Sequence, residues 1–160
     1  MPCGGCSSGV RWTPPTLVMF DGVTRSACGT AQSAMGPFYC PADQKVYLDT
    51  SFFRDMQRKF GGGGDFAYAY VIAQEVGHHI ENLMGILPRV QQAQQRASSK
   101  VEANRLSVRV ELMADCLAGV WAAHANRQWK ILEPGDVEKA VRTAQAIGDD
   151  RLQQIGRAHV

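Results

Sequence analysis

The residues best suited to chemistry lie in AQEVGHHIEN, Ala73 to Asn82. A Glu with a His three residues later, and a metal ligand just before the Glu, is a helical pattern that holds an ion and its reactive water. Glu75 and His78 keep that spacing, but Gln74 stands where the first imidazole belongs. On a helix turning about 100° per residue, His78 falls about 40° from Gln74 and Glu75 about 100° from it. The three polar groups share a face. His79 points about 100° beyond His78 and cannot replace residue 74.

A second pair sits in ELMAD, where Glu111 and Asp115 are one helical turn apart. A Glu followed by such an Asp suits a ligand carboxylate and a partner that orients another ligand. As a solvated pair they would repel by a few tenths of a kcal/mol, which a shared cation would relieve. Gln74 can offer only a neutral amide oxygen, a poor donor to zinc. The expected site has His78 and Glu111 as strong donors to Zn2+ and Gln74 as a weak or absent third. Zinc in such a site is weakly bound, or lost altogether.

The elements that must position these groups can be read from periodicity and turn residues. Ala69, Ala73, Val76, Ile80 and Leu83 step by three and four, which predicts one buried helical stripe. Asp65 after the Gly61–Gly64 run is the expected cap of that helix, and Gly85 and Pro88 its stop. RVQQAQQRASS reads as a short exposed helix. Ser99 and Glu102 form a capping box that opens a long helix, its stripe expected at Leu106, Val110, Met113, Leu117, Val120, Trp121 and His124. Packed through their stripes, the two long helices would bring Glu111 to the rim that His78 occupies. A last helix is expected with Asp136 as its cap and Gly148 as its stop. PTLVMFDGV and KVYLDTSFF are the best strand candidates, and KVYLDT is the expected edge on which a peptide could pair. Tyr39 and Tyr47 are available as oxyanion donors, whereas His124 reads as a core histidine. The fold class is α+β: short N-terminal strands, then a helical core carrying the site on two adjacent helices. Residues 1–15 read as a flexible lead-in and 16–160 as a single domain.

The chain has 160 residues, 45% of them hydrophobic, and a net charge of +2. That suffices for one core and gives no reason to expect a nucleic-acid partner. No apolar run reaches the roughly 18 residues of a membrane span. Of the five cysteines, Cys3 and Cys6 form an isolated CxxC in a Gly/Ser-rich stretch, and Cys116 reads as a buried inert thiol. Cys28 and Cys40 flank a glycine-containing loop whose ends can meet, so a disulfide and two free thiols are both open. A bridge would imply maturation outside a reducing compartment.

Four blocks, GPFYCPADQKVYLDTSFF, GDFAYAYVIAQEVGHHIENLMGI, ELMADCLAGVWA and PGDVEKAVRTAQAIGDDRLQ, together resemble the bacterial neutral zinc metallopeptidase family, from about Phe20 to about Gln153. The resemblance implies a gluzincin-like site, with His-Glu-x-x-His on one helix and Glu-x-x-x-Asp on another. Carried over, Glu75 is the general base, His78 and Glu111 are zinc ligands, and Asp115 is the partner that orients a ligand. Gln74 departs from the pattern. Cys28 and Cys40 fall where the family has cysteines, which implies the bridge. The family carries an N-terminal hydrophobic segment and acts in the cell envelope or outside the cell, on peptides or unfolded proteins. It continues into a Ser-Phe-Thr-His-Gly stretch where this sequence ends in GRAHV, so a truncated C-terminal end is expected, and His159 is not expected to substitute as a ligand. The alternative to a weakened zinc peptidase is a pseudo-peptidase that binds peptide or a protein partner without cutting. A helical packing domain whose polar rim has no role is the third reading.

Overall fold

The computed structural model describes residues 9–32, 36–59 and 64–157. The CxxC pair and His159 lie outside them. The architecture is α+β, strands first and helices after. Strands β1 (Thr16–Phe20), β4 (Phe38–Cys40) and β5 (Lys45–Asp49) form one sheet in the order β1-β5-β4. β1 runs parallel to β5 and β4 antiparallel to it. β2 (Val23–Ser26) and β3 (Gly29–Gln32) pair as a separate antiparallel ribbon. A disulfide joins Cys28, in the turn of that ribbon, to Cys40 at the end of β4.

The expected edge strand is the central one. Val46, Tyr47, Leu48 and Asp49 are all buried, the continuous run of a strand covered on both faces rather than the alternation of an exposed one. Among the described residues β4 is an edge of the sheet, and it contacts α2. KVYLDTSFF is also not strand throughout. Asp49 accepts the backbone N–H of Ser51 at 2.9 Å and its hydroxyl at 2.7 Å. That cap turns the chain into helix α1 (Thr50–Lys59).

Helix α2 (Asp65–Leu83) follows the glycine run. Its N-cap is Gly64, not Asp65, which becomes the first helical residue, where a carboxylate still complements the helix dipole. Gly85, at φ 72°, separates it from α3 (Ile86–Gln95). Pro88 does not end a helix. It sits in the first turn of α3, where its missing N–H would lack an intrahelical partner anyway. Helix α4 (Lys100–Trp129) opens on Ser99, whose side chain accepts the Glu102 N–H. Glu102 reaches back one residue further than a capping box requires, to the N–H and hydroxyl of Ser98. Helix α5 (Asp136–Arg157) takes Asp136, the expected cap, as its first residue and runs through Gly148.

The faces on which the long helices meet differ from those expected. In α4 the buried positions are Ala114, Ala118, Ala122 and Ala125, while Val120 is 51% exposed and His124 is exposed. Cys116 is exposed as well, contrary to its reading as an inert buried thiol. In α2 the buried set is Phe66, Ala67, Val71, Glu75, Gly77, His78, His79 and Glu81. Ala69, Ala73, Val76, Ile80 and Leu83 are only partly covered. The cause is close approach. A Cβ on Gly77 would lie 3.1 Å from both the Cα and the carbonyl oxygen of Ala114. Only small residues permit two backbones to come so near, so the bulky residues are displaced to the flanks. Small apolar clusters secure the rest: Tyr39, Val46 and Leu48 against Phe53, Ile72 and Leu87, and Phe66, Ala122 and Ala140 against Tyr70 and Leu132.

Candidate metal centre

Because α2 and α4 meet at Gly77 and Ala114, the residues next to that contact face one another. His78 follows Gly77, and Glu111 lies three positions before Ala114. The His78 Nε2 atom is 3.4 Å from the Glu111 Oε2 atom. His78 is 7% exposed and Glu75 2%. The Glu111 side chain is more open, at 40%. These three groups come together as expected, although through the small-residue faces of the helices and not through their bulky stripes.

The ring of His78 is held from behind. Its Nδ1 atom lies 2.8 Å from Oε2 of Glu81, one turn on in the same helix and fully buried. With Nδ1–H donating to that carboxylate, the Nε2 atom is the one turned towards Glu111. Burial works against charge on this imidazole. Hydrogen bonds to Glu111 and Glu81, with the nearby charge of Glu75, outweigh it and push His78 up to about 10. Glu81 had not been singled out in the sequence. Its separation of three from His78 was the available signal, since i and i+3 residues are neighbours on a helix. The other oxygen of Glu81, Oε1, is buried with no hydrogen-bond partner among the described residues.

Gln74 and Asp115 meet each other. The Gln74 amide nitrogen donates to Oδ1 of Asp115, so the Asp contacts residue 74 and fixes the orientation of its amide. Tyr70, one turn earlier in α2, donates its hydroxyl to the Asp115 carbonyl oxygen at 3.3 Å. Burial, and then the charge of Asp115, raise the pKa of that phenol.

His79 takes no part in this face. It is fully buried, with Nδ1 2.8 Å from the Tyr39 hydroxyl and Nε2 2.6 Å from the carbonyl oxygen of Thr13. A carbonyl only accepts, so Nε2 carries the proton and the Tyr39 hydroxyl donates to Nδ1. Asn82 donates to the same hydroxyl at 3.1 Å. The chain from Asn82 through Tyr39 and His79 to Thr13 ties β4 and the segment before β1 to α2. Tyr39 is thereby occupied, Tyr47 donates to Asp43 at 2.5 Å, and His124 is exposed. None of the three stands ready as an oxyanion donor.

The donor set can be tested against zinc. Ligand atoms about 2.0–2.1 Å from a tetrahedral zinc lie about 3.3–3.4 Å from one another. The His78–Glu111 separation of 3.4 Å matches that span. An imidazole oriented by a buried carboxylate is the usual support of a zinc-bound histidine. Among the described residues no three His, Cys, Asp or Glu side chains cluster closely enough to hold an ion. The His78–Glu111 pair alone has the spacing of two donors to one ion, and Gln74 stands in the sequence where the resemblance puts a third.

A family model described as "Putative neutral zinc metallopeptidase" matches residues 6–160. The chain is 58% identical over 152 residues to the uncharacterized protein YpfJ of Escherichia coli strain K12, covering 95% of this chain and 52% of that protein. It is 44% identical over 153 residues to the uncharacterized protein Mb2605 of Mycobacterium bovis, covering 89% of this chain and 50% of that protein. The uncharacterized protein Rv2575 of Mycobacterium tuberculosis matches to the same extent. The chain spans about half the length of these curated relatives. No solved structure matches it.

Proposed function

The chain belongs to the neutral zinc metallopeptidase family, and from that premise we propose that it is a zinc-dependent peptidase acting on peptides or unfolded proteins, weakened by Gln74. The observation that carries this reading is the 3.4 Å approach of His78 Nε2 to Glu111 Oε2 beside the buried Glu75. His78 and Glu111 would hold the ion, with the Gln74 amide oxygen as a poor third donor. Zinc bound there supplies Lewis-acid activation of water and of the scissile carbonyl.

The chain's own residues do the rest. Glu75 takes the proton of the attacking water and passes it to the leaving amine. Glu81 fixes the ring of His78 and keeps Nε2 towards Glu111. Asp115 holds the side chain of residue 74. The substrate backbone pairs with the free edge of β4, in place of the central β5, and lies along α2 as an added strand. Among the described residues no helix is long and apolar enough to cross a membrane. The Cys28–Cys40 bridge and the family together favour action in the cell envelope or outside the cell.

A second reading is favoured by one contact. The Gln74 amide is committed to Asp115, an arrangement that also suits a pseudo-peptidase binding peptide without cutting. Digestion of an unfolded protein with and without added zinc separates the two. Zinc-dependent cleavage that disappears in Glu75→Gln supports the enzyme. Retained peptide binding with no cleavage at saturating zinc supports the pseudo-peptidase.

A further inference from the structure

One face of α4 is uncovered among the described residues. With Val101 at zero on the helical wheel, Val108 and Leu112 fall within about 20° of it and Arg105 at about 40°. Arg109 and Arg127 follow at about 80° and Val120 at about 100°. The buried alanines of the helix, Ala114, Ala118, Ala122 and Ala125, lie on the other side, between about −60° and −140°. Val101 is 62% exposed, Leu112 60% and Val120 51%, and the three arginines are exposed beside them. From Val101 to Arg127 this face runs roughly 40 Å, at about 1.5 Å per residue. A surface hollow of about 420 Å³ lies on it, lined by Val101, Asn104, Arg105, Val108 and Arg109.

The acids of α4 do not neutralise this face. Glu102 accepts the N–H and hydroxyl of Ser98, Glu111 faces His78, and Asp115 accepts the Gln74 amide. Arg105, Arg109 and Arg127 make no ion pair among the described residues. We propose that this face is a docking surface for an anionic lipid bilayer. The helix would lie flat on the headgroups, its aliphatic side chains reaching the acyl boundary and its arginines on the lipid phosphates. A basic helix face with exposed aliphatics binds such an interface through both terms, buried apolar area and attraction to anionic lipid. Arg105 argues against a protein partner. It stands among Val101, Val108 and Leu112, so a helix packed on that line would bury a guanidinium at the contact core, where charge is depleted. A headgroup layer accepts it, because arginine lays its stem along apolar surface and keeps its charge among polar groups. A second copy is disfavoured as well. In two-fold antiparallel pairing of α4 each flank meets its own copy, and the arginines would face arginines. Docking of this kind requires neither zinc nor cleavage, and so stands apart from the peptidase reading.

The test sediments the full chain with phosphatidylcholine vesicles, with and without phosphatidylglycerol. Binding to the anionic vesicles only, weakened by salt, is expected. Equal binding to both kinds, or to neither, would overturn the proposal. Arg105→Gln combined with Arg109→Gln should weaken binding about thirtyfold, since each cation near an anionic surface contributes about fivefold. Leu112→Ser should weaken it about tenfold through lost apolar contact. Arg25→Gln combined with Arg58→Gln removes the same charge from other exposed positions and should leave binding nearly unchanged. Equal losses in the two double variants would show a diffuse charge effect and overturn the assignment to α4. Capture by immobilised polyglutamate without vesicle binding would point to an acidic protein partner and overturn it too. Should a variant fail to fold, the lipid and salt dependence of the parent chain still decides.

Discussion

Replacing Gly77 with alanine probes the contact on which the centre depends. The added Cβ would stand 3.1 Å from the Cα and carbonyl oxygen of Ala114 and 3.4 Å from its Cβ. Carbon atoms in good contact lie about 3.5–4.0 Å apart, so the helices must part by roughly half an ångström. Alanine gains up to about 1 kcal/mol of helix propensity over glycine, while overpacking costs about 1–3 kcal/mol. The net is a loss of about 1 kcal/mol, or roughly 2–4 °C in Tm for a chain of this size. The effect on the centre should be larger, because parting the helices separates His78 from Glu111, now 3.4 Å apart. A misplacement of about 1 Å can cost about a hundredfold in a positioned site, so half of that predicts about a tenfold weaker zinc affinity. Thermal unfolding and a competitive zinc titration read the two effects separately. A raised Tm with unchanged zinc affinity would refute the reasoning, since it would mean that Gly77 does not set the spacing of these helices.

Three other perturbations have definite expected outcomes. Gln74→His restores an imidazole donor; with about 10–16 kcal/mol shared over four ligands in structural zinc sites, affinity should rise about a hundredfold or more, and a titration within threefold of the parent would show that residue 74 does not face the ion. Reduction of Cys28–Cys40, which closes a separation of 12 residues, should remove about 3 kcal/mol, a fall of roughly 6–12 °C in Tm measurable by calorimetry with and without reductant. Asp43 is raised by burial but lowered further by the Tyr47 hydroxyl, the N–H groups of Ala27 and Lys45, and the charge of Lys45, for a net downward shift. Its folded pKa is thus depressed, so its contribution is present above the ordinary aspartate range and lost as pH falls through the folded value. Asp43→Asn should lower Tm at neutral pH and flatten the acid limb of the stability profile; an identical limb would contradict that assignment.

The sequence carried the spacing of the candidate site better than the packing. The three-residue step from Glu75 to His78 and the four-residue step from Glu111 to Asp115 were legible, because side chains that share a helix face recur by the turn. The Ser99 cap and the β1 and β5 segments were legible for the same local reason. Which faces would meet was not. Hydrophobic periodicity ranks positions by apolar size, and here the closest contact belongs to Gly77 and Ala114, the residues such a ranking weighs least. Trp121 and Leu117 instead line a groove of about 390 Å³ with Ala73, Val76 and Ile80. The central place of β5 depended on its parallel pairing with the remote β1 as well as on the local antiparallel turn from β4. Glu81 was not singled out at all, and it is the fold that buries it behind His78.

The central claim is that His78 and Glu111 hold one zinc ion between α2 and α4. Zinc titration by calorimetry on the parent chain, His78→Ala and Glu111→Ala tests it most directly. The account predicts one ion per parent chain and at least a tenfold loss of affinity in each variant, from removal of one of two strong donors. Equal zinc binding by all three proteins would contradict it.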